Sequence, residues 1–204
     1  MRCCSAALAA VPVLFFAGCG HSGDSTSPKA ARASTSAPIP TPIGVGARFE
    51  PGARAASLGG PRNGLRCTRP GTAGGDLAHL ELFAEGRVFL VPQGIGIALP
   101  VTHGLQRIVS GRCRYPLATF DRTGTVDFTR PGLTLGDLFA VWGEPLSATR
   151  LATFSARPGS EVHAFVDGAR WPGSVRDVPL THHAEIVLEV DSSVPPHRFY
   201  LFPR

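Results

Sequence analysis

The fold class is decided by one stretch, TLGDLFAVWG at residues 134–143, which predicts the clearest α-helix of the chain. Thr134 is a good N-cap, and Asp137 stands three residues later, where a capping box has its acidic residue. Gly143 and the nearby Pro145 predict the end of the helix. Four residues at i, i+3, i+4 and i+7 form one apolar stripe: Leu135, Leu138, Phe139 and Trp142. At this spacing we expect the two aromatic side chains in the core rather than around a ligand.

The segments on either side of the helix alternate apolar and polar residues, which is typical of half-buried strands. Two hairpins are predicted before the helix, turning at Glu85-Gly86 and at residues 121–124. Residues 94–99 fit either a short strand or an irregular extended segment. The strands predicted for the hairpins cover residues 76–84, 87–92, 112–120 and 125–129, and those predicted after the helix cover 161–166, 185–190 and 199–202.

Together these elements predict an α+β domain with a mainly antiparallel or mixed β-sheet and one main helix over residues 134–142. From Thr125 onward, the order of strand, capped helix and further strands is similar to the ubiquitin-like β-grasp pattern. The similarity concerns the order of elements and the turn chemistry, and a fold does not by itself carry a function.

The N-terminus has the features of a bacterial lipoprotein signal peptide. Arg2 precedes an uncharged apolar run over residues 6–16, which is too short to span a bilayer. The run leads into Leu14-Phe15-Phe16-Ala17-Gly18-Cys19, which resembles a lipobox, where the signal is cut and the following cysteine is acylated. We therefore expect residues 1–18 to be removed and Cys19 to anchor the protein at the extracytoplasmic face of the cell membrane. The alternative is an ordinary secretory signal with an incidental cysteine.

Residues 19–60 are expected to form a flexible tether between the anchor and the folded domain. As far as Pro42, the segment is rich in Ser, Thr, Ala and Pro, and it cannot bury enough apolar surface to fold. The sequence does not decide whether residues 43–61, which are rich in Gly and Ala, are ordered. Residues 61–204 are long enough for a single β-rich globular domain with its own core.

Two cysteines remain once the signal peptide and the lipidated residue are set aside, and these are Cys67 and Cys113. In an exported protein they are expected to form a disulfide. The bond would tie the first segment of the domain to its middle. The alternative is a pair of free buried thiols.

The net charge of +5 does not indicate a protein that binds nucleic acid. Lys29 is the one lysine among 20 basic residues, and the arginines are scattered along the chain. They are not interleaved with aromatic residues in the way that a surface following a phosphate backbone requires. We expect no nucleic-acid partner. The expected partners are the membrane, through the lipid anchor, and an unknown protein, wall component or small molecule.

Five segments of the chain are similar to the motifs of one protein family, and they are Ala78-His79-Leu80, VPQGIGI at 91–97, Cys113-Arg114-Tyr115, TLGDLFAVWGEPLS at 134–147 and Val194-Pro195-Pro196. They resemble a family of exported proteins of actinobacteria and other bacteria to which no activity is assigned. The likeness covers most of residues 64–204, and the helix motif is its most specific part.

Typical members of that family carry histidines at alternate positions of neighbouring strands, which would suit a metal site. This chain keeps His79 but has other residues at four matched positions: Gly75, Leu77, Ala118 and Phe120. The weak candidates that remain are His79, Asp127 and His183. Stable zinc sites usually need three or four ligands, so we expect no tightly bound divalent metal and no cofactor.

The sequence contains no G-x-S-x-G, H-E-x-x-H or Walker motif, so no catalytic residue is predicted. Glu81 and Asp121 have no recognisable acid or base partner. Three functions stay open, and a non-catalytic binding domain is preferred. It should expose an apolar patch and have no perturbed catalytic carboxylate. A metal-handling lipoprotein would need His79, Asp127 and a third ligand to converge, and a hydrolase would need a pocket that holds a nucleophile and a base.

Overall fold

The computed structural model describes residues 59–202. The predictions for the signal peptide, for lipidation of Cys19 and for the tether up to residue 58 lie outside the described residues. Within 59–202 the chain forms one α-helix, α1 at Leu135–Trp142, a 3-10 turn at Val175–Asp177, and thirteen strands. The strands are β1 Gly71–Thr72, β2 Asp76–Ala84, β3 Arg87–Phe89, β4 Val101–His103, β5 Ile108–Gly111, β6 Leu117–Ala118, β7 Thr125–Phe128, β8 Leu146–Ser147, β9 Arg150–Leu151, β10 Phe154–Ser155, β11 Val162–Val166, β12 Ala169–Arg170 and β13 Glu185–Val190. No helix of this part of the chain is long and apolar enough to cross a membrane.

The main sheet is mixed and confirms the predicted α+β class. Its strands lie in the order β12-β11-β13-β2-β7-β6, and β3 also pairs with β2. The central strands β2 and β13 run parallel, while the other pairs are antiparallel. Two small three-stranded sheets, β1-β5-β4 and β10-β9-β8, complete the strand pairing of the described residues.

The main sheet has the strand order of a β-grasp fold, but the first strand of that order is β2 and not the strand at Thr125 that the sequence predicts. The parallel partner of β13 is β2, and not the strand that starts at Thr125. That strand, β7, pairs with the first half of β2, and β3 pairs with its second half. Two short strands thus share the position beside β2.

Helix α1 covers one face of the main sheet and forms the core with it. Thr134 and Asp137 form the predicted capping box, and Gly143 ends the helix with a left-handed φ of 85°. The core between helix and sheet is built from apolar residues of both, including Leu135, Leu138, Phe139 and Trp142 of α1 and Leu80, Leu82, Ile186 and Leu188 of the sheet.

The opposite face of the main sheet is covered by the C-terminal segment, residues 191–202, which follows β13. The prediction of a closing strand at 199–202 is wrong, because this segment has no strand pairing. It is held by side chains instead: Tyr200 stacks on His79, and Phe202 stacks on His183. Val194 packs on an apolar patch of the same face, formed by Phe83, Val88 and Val187.

Other predicted elements are present in shortened form. The strand predicted at 87–92 ends at Phe89, and the one predicted at 112–120 is reduced to β6. Residues 94–99 are irregular, because Gly94 and Gly96 adopt positive φ angles of 93° and 72°. The predicted disulfide between Cys67 and Cys113 is formed, with the two Cα atoms 5.5 Å apart.

Candidate functional site

A cluster of buried titratable side chains lies on the face of the main sheet that the C-terminal segment covers. The parallel register of β2 and β13 pairs His79 with Glu185 and Glu81 with Val187. Because side chains alternate along a strand, His79, Glu81 and Glu185 point to the same face. All three residues are at most 1% exposed. One ligand atom from each lies within 4.8 Å of the others.

His79 is held at both ring nitrogens. Its Nδ1 lies 2.7 Å from Oε2 of Glu185, and its Nε2 lies 2.7 Å from the carbonyl oxygen of Thr123. Since a carbonyl oxygen only accepts hydrogen bonds, Nε2 carries a hydrogen and donates it. A Cβ atom at Gly124 would lie 3.0 Å from Nε2 of His79 and 2.5 Å from the carbonyl oxygen of Leu80, so this position needs a glycine.

Glu81 is joined to the C-terminal segment. Its Oε2 lies 2.6 Å from Nδ1 of His197, and Tyr200 stacks on the ring of His79 with the centroids 3.8 Å apart. Burial raises the pKa of the Glu81 carboxyl above its usual value, and the nearby charge of Glu185 raises it further. His197 and His79 act in the opposite direction and lower the pKa of Glu81. The segment thus brings a second imidazole to the cluster.

Two carboxylate oxygens on β13 lack hydrogen-bond partners. Within residues 59–202, no group donates a hydrogen bond to Oε1 of Glu185 or to Oε1 of Glu189, although both atoms are buried. Burial raises the pKa of Glu189 to about 7, and a backbone hydrogen bond from Val194 opposes this shift. A buried carboxylate oxygen without a partner is costly, which makes Glu185 the anomalous member of the cluster.

Of the three weak metal candidates, the structure places only His79 in this cluster. Asp127 shares the face, but its carboxylate lies 2.7 Å from the guanidinium of Arg114 and accepts hydrogen bonds from the backbone N–H groups of Gly74 and Gly75. The carboxylate oxygens of Asp127 are therefore already engaged with Arg114 and the two glycines. His183 stacks on His182 and Phe202 instead. The convergence of His79 and Asp127 that a metal-handling function required is therefore absent from the described residues.

Sequence reasoning missed Glu81, Glu185 and His197 as members of one cluster. Part of the cluster had a sequence signal, because Glu81 lies between two leucines of β2 at the same alternation as His79. Glu185 begins β13 and gives no such signal. Their convergence depends on a parallel pairing of segments about a hundred residues apart, and no local pattern encodes that pairing.

A separate feature of the surface is an exposed apolar patch at the turn between β4 and β5. Leu105 is fully exposed and Val109 is half exposed. Both line a groove of about 770 Å³, together with Arg107 and residues 121–123. We name it the hairpin groove. Its rim holds two arginines, Arg107 and Arg122, and one aspartate, Asp121, so the rim carries a net positive charge, which distinguishes the patch from an ordinary surface leucine.

A third feature is a cleft of about 550 Å³ beside the start of β2. It is lined by residues 74–76, 128–132 and 179–182. Nδ1 of His182 lies 2.6 Å from a carboxylate oxygen of Asp76 at its rim. Within the described part of the chain, no hydrogen bond joins His182 to a serine, threonine or cysteine that could serve as a nucleophile.

Comparisons of the chain with models of protein families, with curated proteins and with solved structures find no match. The resemblance to exported proteins of actinobacteria therefore stays a prediction that rests on the sequence motifs.

Proposed function

We propose that this chain is a lipid-anchored protein of the extracytoplasmic face of the membrane, and that its domain is a non-catalytic binding module. The observation that carries the binding role is the hairpin groove, with Leu105 and Val109 exposed beside a cationic rim. Membership of the exported family belongs to the same proposal and is supported by its motifs.

The disulfide supports the location. Cys67 and Cys113 are bonded, and disulfides of this kind persist in oxidising compartments outside the cytoplasm. The lipobox-like segment ending at Cys19 and the disulfide are independent features, since one lies in the leader and the other in the domain. Both are expected of an exported lipoprotein.

The energetic cost of the patch supports an interaction role. Leaving a leucine in water rather than burying it costs roughly 1.5 to 3 kcal/mol, and contact with a partner would recover part of this. Arg107 beside Leu105 would favour a partner with an apolar contact surface and a negatively charged margin. The binding surface and the buried carboxylates are separate features of the domain.

A non-catalytic role is also supported by where the perturbed carboxylates lie. Glu81, Glu144 and Glu189 have raised pKa values. The C-terminal segment covers Glu81 and Glu189, so a substrate would reach them only if the segment moved, and Glu144 is not among the residues that line the open cleft beside β2. In the open cleft, His182 and Asp76 are paired without a nucleophile bonded to them. A hydrolase is therefore less well supported than a binding domain.

Site-specific cross-linking tests the binding role. A photoreactive amino acid is placed at Leu105 in the full chain in its native host, and the same residue is placed at Leu201, which is also exposed. We expect a discrete cross-linked product from position 105 and none from position 201. Equal products from both positions, or none from either, would contradict the assignment of the hairpin groove as the binding surface.

Fatty-acid labelling tests the anchor. A Cys19→Ser chain should fail to incorporate a fatty-acid probe and should leave the membrane fraction, because the acylated sulfur is lost. Cys3→Ser is the matched control, since the leader that holds Cys3 is removed, and it should label normally. Unchanged labelling of the Cys19→Ser chain would show that Cys19 is not the lipidated residue.

A further inference from the structure

We propose that His79, Glu81 and Glu185 bind one divalent transition-metal ion, and that His197 of the C-terminal segment closes the site. The ligand set contains two imidazoles and two carboxylates. Three of these side chains come from the two central strands of the sheet, which pair with each other over six residues. This proposal concerns a different surface from the hairpin groove and stands independently of it.

The spacing of the ligand atoms supports the site. The Nδ1 atom of His79 and the Oε2 atom of Glu185 are 2.7 Å apart, and the corresponding atoms of His197 and Glu81 are 2.6 Å apart. Around a tetrahedral zinc ion with bonds of about 2.0 Å, neighbouring ligands are ~3.3 Å apart. A movement of about 0.6 to 0.7 Å within each pair would open that space, and the hydrogen that each pair shares would be released when the metal binds. The three strand-borne ligand atoms already lie within 4.8 Å of one another.

The orientation of His79 is that of a metal ligand. Imidazoles that bind metals usually donate a hydrogen bond from the other ring nitrogen to a carbonyl or carboxylate. Nε2 of His79 donates to the carbonyl oxygen of Thr123, which fixes the ring and leaves Nδ1 directed at the carboxylate of Glu185. Gly124 leaves room for this arrangement, as its close approach to Nε2 shows.

The unpartnered oxygen of Glu185 is the second, independent observation. Its Oε1 receives no hydrogen bond from any described residue, and the side chain is only 1% exposed, so this oxygen is buried without a partner. A metal ion would give this carboxylate its missing partner. It would also balance two buried negative charges, which are costly when they are left without compensation.

The chemistry of the ligands favours a first-row transition ion over calcium or magnesium. Imidazole nitrogen with carboxylate oxygen suits zinc and its neighbours, whereas calcium prefers six to eight oxygen ligands and magnesium retains bound water. Entry does not require the sheet to open, because residues 191–202 form no strand pairing and are held over the site by His197 and Tyr200.

This inference replaces the expectation of no metal that followed from the sequence. That expectation counted His79, Asp127 and His183, and it missed the two glutamates that the parallel pairing brings to His79. The four positions at which the family resemblance implies missing histidines are not part of this ligand set.

The test is zinc binding by the full chain, purified in detergent without a histidine tag and stripped with a chelator. Competition with a chromophoric chelator should give one zinc per chain with a Kd below about 1 μM, a range typical of sites with three or four ligands. Glu185→Gln and Glu81→Gln should each weaken binding more than about tenfold. Cobalt substitution should give visible absorption that is lost in the same variants.

Matched controls separate the site from general acidity. Glu189→Gln removes a buried carboxylate on the same face of β13, and His163→Asn removes an imidazole opposite it on β11. Both should keep the affinity of the unaltered chain. His197→Ala tests closure and should weaken binding while leaving one zinc per chain.

Circular dichroism of each variant checks that it is folded, and the isosteric Gln substitutions keep the shape of the site. The proposal is overturned if folded protein binds no zinc below about 1 μM, the affinity expected of such sites. It is also overturned if folded Glu185→Gln and Glu81→Gln chains keep full affinity, or if Glu189→Gln loses as much as they do.

Discussion

At the scale of the residue, three buried glutamates on one sheet face differ because their neighbours differ. Glu185 has His79 and Glu81 has His197 at hydrogen-bond distance. Among residues 59–202, Glu189 has only the backbone N–H of Val194 as a donor, which explains why burial raises its pKa to about 7. The residue opposite it on β11 is His163, whose Nδ1 accepts a hydrogen bond from Arg170 and so carries no proton.

The prediction at this scale is that Glu189→Gln changes how the free energy of unfolding depends on pH. The folded carboxyl holds its proton up to about pH 7, whereas the unfolded one releases it near its usual value of 4.5. The contribution of Glu189 to the stability of the folded protein therefore falls as the pH rises from about 4.5 to 7. In urea unfolding at about pH 8.5, the variant should be more stable than the unaltered chain by on the order of 2 kcal/mol, and the difference should vanish near pH 4.

The control for this prediction is Glu161→Gln, because Glu161 is an exposed acid just before the neighbouring strand. It should shift the unfolding free energy by less than about 0.5 kcal/mol at either pH. A difference between the Glu189→Gln and unaltered chains that is constant with pH would show that Glu189 does not titrate as described.

At the scale of the element, helix α1 is stabilised by its N-terminal cap. The backbone N–H of Asp137 donates to Oγ1 of Thr134, and the backbone N–H of Thr134 donates to the Asp137 carboxylate. We expect Thr134→Ala to lower the free energy of unfolding by about 1 kcal/mol, because the backbone N–H of Asp137 in the first turn loses its side-chain acceptor. Urea unfolding at neutral pH measures it.

Thr102→Ala is the control for the cap, since Thr102 is an exposed threonine on β4. This substitution should change the free energy of unfolding very little. If the two alanine variants lose equal stability, the cap contributes nothing specific to the helix.

The same helix shows which elements the sequence could predict. Cap, apolar stripe and terminating glycine lie within ten residues, so local chemistry suffices, and the tight turn at Glu85-Gly86 was predictable for the same reason. The segment 199–202 alternates in the same way as a strand, but Phe199 and Leu201 point to solvent while Tyr200 packs on His79. Ring stacking and strand pairing produce the same alternation, so sequence could not separate them.

The candidate metal site could not be predicted from the sequence, for a different reason. His79 and Glu81 are two residues apart and could be placed on one strand face from sequence. Glu185 joins them through the parallel register with β13, and His197 joins them through the path of an irregular segment. Neither relation has a short-range signature.

At the scale of the whole molecule, the disulfide joins the start of the domain to the residues before β6. It closes a loop that spans 46 residues and encloses β1 to β5. A Cys67→Ser, Cys113→Ser double variant should lose up to about 4 kcal/mol of stability, because its unfolded chain has more freedom. Peptide mapping without reductant should find the linked pair in the unaltered protein. Two freely alkylated thiols in protein from the native host would contradict it.

The parallel pairing of β2 with β13 also sets when the domain can fold. The strand at the centre of the sheet pairs with a strand that begins about a hundred residues further along the chain, at Glu185. During synthesis the growing chain lacks the partner of β2 until β13 has been made, and such distant pairings form slowly. For a chain exported as proposed above, this delay would keep the sheet from closing before β13 emerges, and it would leave the earlier part of the chain unfolded for translocation.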